Sequence, residues 1–329
     1  MRTRELIHLR NTGHQGINSL FAKAHSADWD IERDLDWSIP VPADEPLVAH
    51  EWGAFGSTPT FQSLPEPAKA YATRRGLGRI LNILQVGESV AQDVCAKIAL
   101  AVREEDYRNH AVAQAMDEAR HHLAYCRFLE KMGDEVEDID LGTEMMFDAL
   151  LEFDDPMQII ATEQFFLESL AMNIFEGIQR HARHPLLRDL LGLVTRDESR
   201  HMGFGILYID EWMKHHSLDE RIHFARRWLG QILAVVTDRP GPIMLQRIVQ
   251  RLQEAGVDEA PSLAPQLLRE QQEINALEHQ QLLAGRKVPQ LLKSARRVGF
   301  LEPEILEALG LSDHPVIRGA MRATPEAEG

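Results

Sequence analysis

Cysteine is nearly absent from this chain: Cys95 and Cys126 are the two among 329 residues. Two thiols cannot build a disulfide framework, and their scarcity fits a reducing compartment. Long apolar runs are missing as well. None approaches the roughly 18 residues of a membrane span, and the start "MRTRELIHLR" has no apolar stretch of the secretory-leader kind. A cytoplasmic protein is the expectation. Positive charge is in short supply: Lys and Arg total 35 against 51 Asp and Glu, a formal net charge of −16. That balance argues against nucleic acid or an anionic membrane as partner. Strand-like alternation of useful length is missing too, and so is any short-period repeat. What is present is length enough for a large core and an apolar content of 44%, which together indicate a globular protein.

The chain changes character near residue 78. Residues 1–77 read as an arm, because "IPVPADEP" and "GSTPTFQSLPEP" are rich in Pro, Gly and Ser and suit irregular, mostly extended chain. From Arg79 the spacing predicts long helices. "RILNILQVGESVAQDVCAKIALAV" is the first, and "HAVAQAMDEARHHLAYCRFLEKMG" is the second, ending on Gly133 as a C-terminal cap. "DPMQIIATEQFFLESLAMNIFEGIQRHAR" opens the third at Pro156, and Pro185 opens the fourth. Shorter helical segments follow to about residue 309, and "ATPEAEG" reads as a disordered tail. The expected fold is all-α: a four-helix bundle over residues 78–310 with additional C-terminal helices, an N-terminal arm packed on it, and a tail at 311–329.

Two segments carry the chemistry. "DEARHH" places Glu118 and His121 three residues apart after Asp117; "DESRHM" places Glu198 and His201 at the same spacing after Asp197. Positions i and i+3 share a helix face, and a buried carboxylate beside a buried imidazole needs partners. A single Glu-x-x-His is more often a surface coincidence than a ligand pair. Two copies on two long helices, each preceded by a long helix bearing a glutamate, match the recipe for a carboxylate-bridged metal pair in a bundle. Two nearby cations need several anionic oxygens, and one imidazole for each adds a nitrogen donor suited to iron. Asp117 and Asp197 are placed to accept the second ring N–H of a histidine across the bundle. Glu88 is the clear acid of the first helix. In the third, Glu163 and Glu168 compete. On an α-helix residues five apart point about 140° away from each other, so only one would face the metals squarely. Levelling the hairpin about Pro185 slightly prefers Glu168; spacing alone leaves the choice open.

"GESV", "DEARHHLAYCRFLEKMG" and "RDESRHMGFG" resemble the ferritin-like di-iron carboxylate proteins of the ribonucleotide reductase small-subunit type, closest to their ligand-binding oxidases. The arm segment "FAKAHSADWDIERDLDWS" is similar as well. The resemblance covers roughly residues 20–210, and the C-terminal helices faintly resemble arylamine N-oxygenases. It implies Glu88, Glu118, His121, Glu163, Glu198 and His201 as the ligands of two iron ions or of a manganese–iron pair, Glu163 because the stretch to Gly205 matches without a gap. It also puts Tyr125, four residues after His121, at the position of a radical tyrosine, which makes it the catalytic candidate.

Departures narrow the reading. The valine–tyrosine cross-link of the ligand-binding oxidases would start at Val90, but Gln158 stands where the tyrosine would be. Arylamine N-oxygenases carry an extra histidine one turn before the last glutamate; here that residue is Val194. A reductase subunit needs a relay tyrosine in its C-terminal tail, and none follows Tyr208. The expected protein is therefore a di-iron oxidase or oxygenase of the homodimeric, cytoplasmic kind. It would use O2 and an external electron donor to hydroxylate, desaturate or N-oxygenate a small or long apolar organic substrate. A ferritin-like ferroxidase is the alternative, and a reductase subunit ranks below that.

Overall fold

The computed structural model describes residues 12–133, 137–237 and 241–323. Among them there is no strand; an isolated antiparallel bridge joins Val48 to Ala182. The segment "ATPEAEG" lies, beyond Ala323, outside the described residues.

The chain divides into two compact units, residues 1–53 with 65–207, and residues 54–64 with 208–329. In the first, helix α1 (Gln15–Ser26) starts where the His14 ring accepts the Ile17 N–H, and α2 (Ile31–Asp34) where Asp30 caps two amides. The segment expected to be extended thus contains helices, because local side-chain caps satisfy their first N–H groups. In the second unit α3 (Pro59–Gln62) is capped by Thr58 in the same way.

Four long helical stretches form the first unit. Helix α4 spans Glu66–Ala101, opening thirteen residues before the expected Arg79. Pro67 sits in its first turn, and "AKAYATRR" has Ala, Lys and Arg, good helix formers, at six of its eight positions, and the helix continues through two glycines. Helix α5 (Glu105–Met132) ends as expected on Gly133, whose φ of 68° is left-handed and whose N–H reaches the Leu129 and Glu130 carbonyls. Helix α6 (Leu141–Glu152) connects to α7 (Pro156–Ile160), which the Asp155 side chain caps by accepting the Gln158 N–H. A π-helical segment (Ala161–Leu167) follows without a break and leads into α8 (Glu168–His181). Helix α9 (Pro185–His215) completes the set, and the unit boundary at 207/208 falls within it.

The apolar faces of these helices enclose a core of Leu77, Leu81, Tyr125, Phe128, Phe175, Leu187, Leu191 and Val194, and the arm adds Trp29, Leu35, Leu47 and Val48 to the same cluster. The Arg74 guanidinium ties arm to helix end by donating to the Pro42 and Met132 carbonyls. The second unit is built from α3 and α10 (Leu218–Thr237), α11 (Pro242–Glu254), α12 (Ala260–Leu283), α13 (Gln290–Arg297), α14 (Pro303–Ala308) and α15 (Pro315–Arg322). Its helices reach beyond the expected end near residue 309. No helix among the described residues is long and apolar enough to cross a membrane.

Candidate metal centre

Helices α4, α5, α8 and α9 each send a carboxylate into the interior of the first unit, and α5 and α9 add an imidazole. Two overlapping groups result, each with ligand atoms within 4.8 Å of one another: Glu88, Glu118, His121 and Glu198, and Glu118, Glu168, Glu198 and His201. All six side chains are buried. The geometry is close to symmetric. His121 Nδ1 lies 3.1 Å from Glu118 Oε2 and 3.0 Å from Glu198 Oε1. His201 Nδ1 lies 3.1 Å from Glu118 Oε1 and 2.9 Å from Glu198 Oε2. Glu118 and Glu198 therefore each turn one oxygen to each imidazole. Glu88 stands 3.7 Å from His121 on one side and Glu168 the same distance from His201 on the other.

Five of the six residues expected as ligands are brought together here. The sixth place is taken by Glu168, while Glu163 belongs to neither group although it is equally buried. The reason lies in the backbone. The Glu168 N–H bonds to the Glu163 carbonyl, an i→i+5 bond, and such a turn stacks residues five apart on one side of the helix. The 140° separation expected from α-helical spacing does not hold, and Glu168 can face the site with Glu163 near it. Packing sustains the wide turn: a Cβ on Gly205 of α9 would come within 2.8 Å of the Gln164 backbone, so only glycine lets the two segments approach this closely.

Burial and mutual repulsion govern the protons. Burial, followed by the Glu198 charge, pushes the Glu88 and Glu168 carboxyls well above the usual range. Burial with Glu118 and Glu198 lifts Glu163 to about 8. Glu198 goes the other way, since His201 and His121 outweigh its burial. Both imidazoles are raised because the surrounding carboxylates outweigh burial. The metal-free site thus gathers protons where carboxylates crowd together, and divalent cations would displace them. Three carboxylates and one imidazole in each group, buried and sharing two carboxylates, fit a pair of iron or manganese ions.

Around this cluster runs a crossed set of ion pairs. His121 Nε2 is 3.2 Å from Asp197 and His201 Nε2 is 3.1 Å from Asp117, so each histidine is oriented by the aspartate of the opposite helix. Arg120 bonds Asp117 and reaches Asp197 at 3.1 Å; Arg200 reaches Asp197 at 2.7 Å and Asp117 at 3.0 Å. The Trp29 indole N–H donates to Asp197 at 2.7 Å, with the Arg120 guanidinium 4.9 Å above its ring. Burial works against charge on both aspartates. His201 nevertheless holds Asp117 below the usual range, and His121 and Arg200 hold Asp197 there. The arginines escaped the sequence reading, yet the signal is there: each Asp-Glu-x-x-His has Arg one residue before its histidine.

Tyr125 is fully buried, and its hydroxyl finds no hydrogen-bond partner. Burial, with Glu88 and Glu198, raises its pKa well above 10 and keeps the phenol neutral. Val194, standing where the resemblance put an extra histidine, is buried in the apolar core. Gln158 sits at the start of α7 with its N–H on Asp155.

His110 lies eight residues before Glu118 on α5 and stacks on Phe204 at 4.4 Å between ring centroids. Burial, reinforced by His201, lowers its pKa to about 3. The unfolded chain binds that proton near 6.5 and the folded chain does not, so stability is lost as pH falls below 6.5. At pH 5 the loss is about 2 kcal/mol. His110→Phe is expected to flatten the stability–pH curve between pH 6.5 and 5, measured by urea unfolding; an unchanged slope would contradict the assignment.

Comparison with protein families agrees with this architecture. The family model of p-aminobenzoate N-oxygenase AurF matches residues 10–278, well over half of the chain, and the chain belongs to that family. The match continues past residue 210 into the helices where the motif resemblance was faint. The protein is thus an oxygenase of the di-iron, ferritin-like type, with a buried Glu/His cluster able to hold a dinuclear site. No curated protein matches the sequence.

Proposed function

We propose that this AurF-family protein N-oxygenates an aromatic amine at a dinuclear iron site held by Glu88, Glu118, His121, Glu168, Glu198 and His201. The observation that carries the reading is the pair of shared carboxylates, Glu118 and Glu198, each turning one oxygen to each imidazole. When bound, the metal pair supplies O2 activation and two-electron chemistry. The chain's own residues supply the rest. Asp117 and Asp197 hold the ring orientation of the two histidines, Arg120 and Arg200 pair with those aspartates, and the apolar core around Tyr125 excludes water. Tyr125 is the catalytic candidate on the His121 side, a neutral phenol with an unpartnered hydroxyl. Insertion of one oxygen atom into an amine reduces the other to water, which requires two electrons from an external donor. A cytoplasmic homodimer is the assembly that accompanies this proposal.

Anaerobic loading with Fe(II), metal analysis, and exposure to O2 with p-aminobenzoate and a reductant test the proposal. Two ions per chain and an N-oxygenated arene, identified by mass spectrometry, are expected. Oxygen uptake with no organic product would favour the ferroxidase alternative, and no metal uptake would end both readings.

Within the same assay the geometry ranks Glu168→Ala above Glu163→Ala. The first removes an oxygen beside His201; the second removes a buried acid outside both groups. Loss of one ion per chain in Glu168→Ala, with two retained in Glu163→Ala, is expected. The opposite ranking would restore the family register and its choice of Glu163.

A further inference from the structure

The two Asp-Glu-x-Arg-His segments are alike at four positions, but four residues before each glutamate they differ: Gln114 precedes Glu118, and Val194 precedes Glu198. One turn along a helix keeps the same face, so both side chains sit next to the cluster. Gln114 Nε2 donates to Glu118 Oε1 at 2.8 Å and to Glu168 Oε1 at 3.2 Å. These are the two oxygens that stand 3.1 and 3.7 Å from His201 Nδ1. A single amide thus spans α5 and α8 and grips one carboxylate from each on the His201 side. Val194 offers nothing equivalent to the His121 side.

Stability alone does not account for an amide at this position. Gln114 is buried, and its own Oε1 has no hydrogen-bond partner, a cost that an apolar side chain of similar size would avoid. The cost makes sense if the two amide hydrogens aim the Glu118 and Glu168 oxygens.

We propose that Gln114 is a positioning residue that makes the two halves of the metal centre unequal, presetting Glu118 and Glu168 for the ion beside His201. The proposal rests on the dinuclear reading above. It assigns no chemistry to Gln114 itself; the amide acts through the carboxylates it holds.

Titration of the metal-free full-length protein with Co(II), followed by visible absorption and calorimetry, separates the two halves. Wild type is expected to bind two ions per chain. In Gln114→Leu one ion should bind as in wild type and the other about 10–100-fold more weakly, the usual penalty for losing a group that orients a ligand. The melting temperature of the metal-free variant should stay within a few degrees of wild type. Gln114→Asn, whose shorter amide cannot span both carboxylates, should behave like Gln114→Leu. It also provides the same test if the leucine variant fails to fold. Two ions bound with wild-type affinities in a folded variant would overturn the role of Gln114 while leaving the dinuclear reading intact. Equal weakening of both ions would overturn the claim that the halves are unequal. Failure of wild type to bind Co(II) would remove the dinuclear reading itself.

Discussion

Glu118→Gln is expected to strip both metal ions from the protein and reduce oxygenation to background. Glu118 belongs to both ligand groups and turns one oxygen to each imidazole. The amide keeps the shape of the side chain but offers one oxygen, no negative charge and an NH2 that repels a cation. Loss of a group that merely orients a ligand costs about 10–100-fold in affinity, and losing a shared ligand should cost more at each ion. Metal content after anaerobic Fe(II) loading should fall well below one ion per chain. Glu88→Gln, which touches one group, should retain about one. Two ions per chain in Glu118→Gln would refute the shared-ligand geometry.

Arg200→Leu should be strongly destabilising. Arg200 is buried and forms ion pairs with Asp197 at 2.7 Å and Asp117 at 3.0 Å. Removing it leaves two buried carboxylates facing each other with Arg120 as the remaining shared arginine, and breaking such a buried network costs about 3–5 kcal/mol. The effect depends on pH in a defined direction. Asp117 and Asp197 titrate below their unfolded values, so their pairing contributes fully above about pH 4 and is lost on further acidification. Wild type and variant should therefore differ most near neutrality and converge in acid. Metal affinity should fall as well, because the aspartates that orient His121 and His201 lose their partner. Arg200→Lys keeps the charge but cannot fork between two carboxylates, so it should recover part of the loss. Urea unfolding from pH 7 down to about pH 2 measures the first effect, with the convergence expected below about pH 4. A loss below about 1 kcal/mol, the scale of an exposed pair, would show that the network is not structural.

Much of this protein was legible in its residues. Pro156, Pro185 and Gly133 mark helix ends through local rules of backbone geometry. The repeated Asp-Glu-x-x-His sets four inward-facing groups at a spacing that any α-helix imposes. Glu88 stood out as a solitary acid in an apolar stretch. These features depend on the chain's own covalent geometry and on 3.6 residues per turn, and they required no knowledge of neighbours.

Other features were decided by what packs against what. Whether residues 161–167 form an α or a π turn depends on the close approach of Gly205 to the Gln164 backbone, and that turn is what brings Glu168 beside His201 while Glu163 stays outside both groups. The start of α4 at Glu66 and the helices of the arm follow from caps and contacts that composition disguised. The crossing of Asp117 to His201 and Asp197 to His121, with an arginine spanning each pair, joins residues more than 70 positions apart. Periodicity shows which residues face inward, but only the packed helices determine which partner each one meets, because burial makes an unpaired charge too costly to leave where the chain alone would put it.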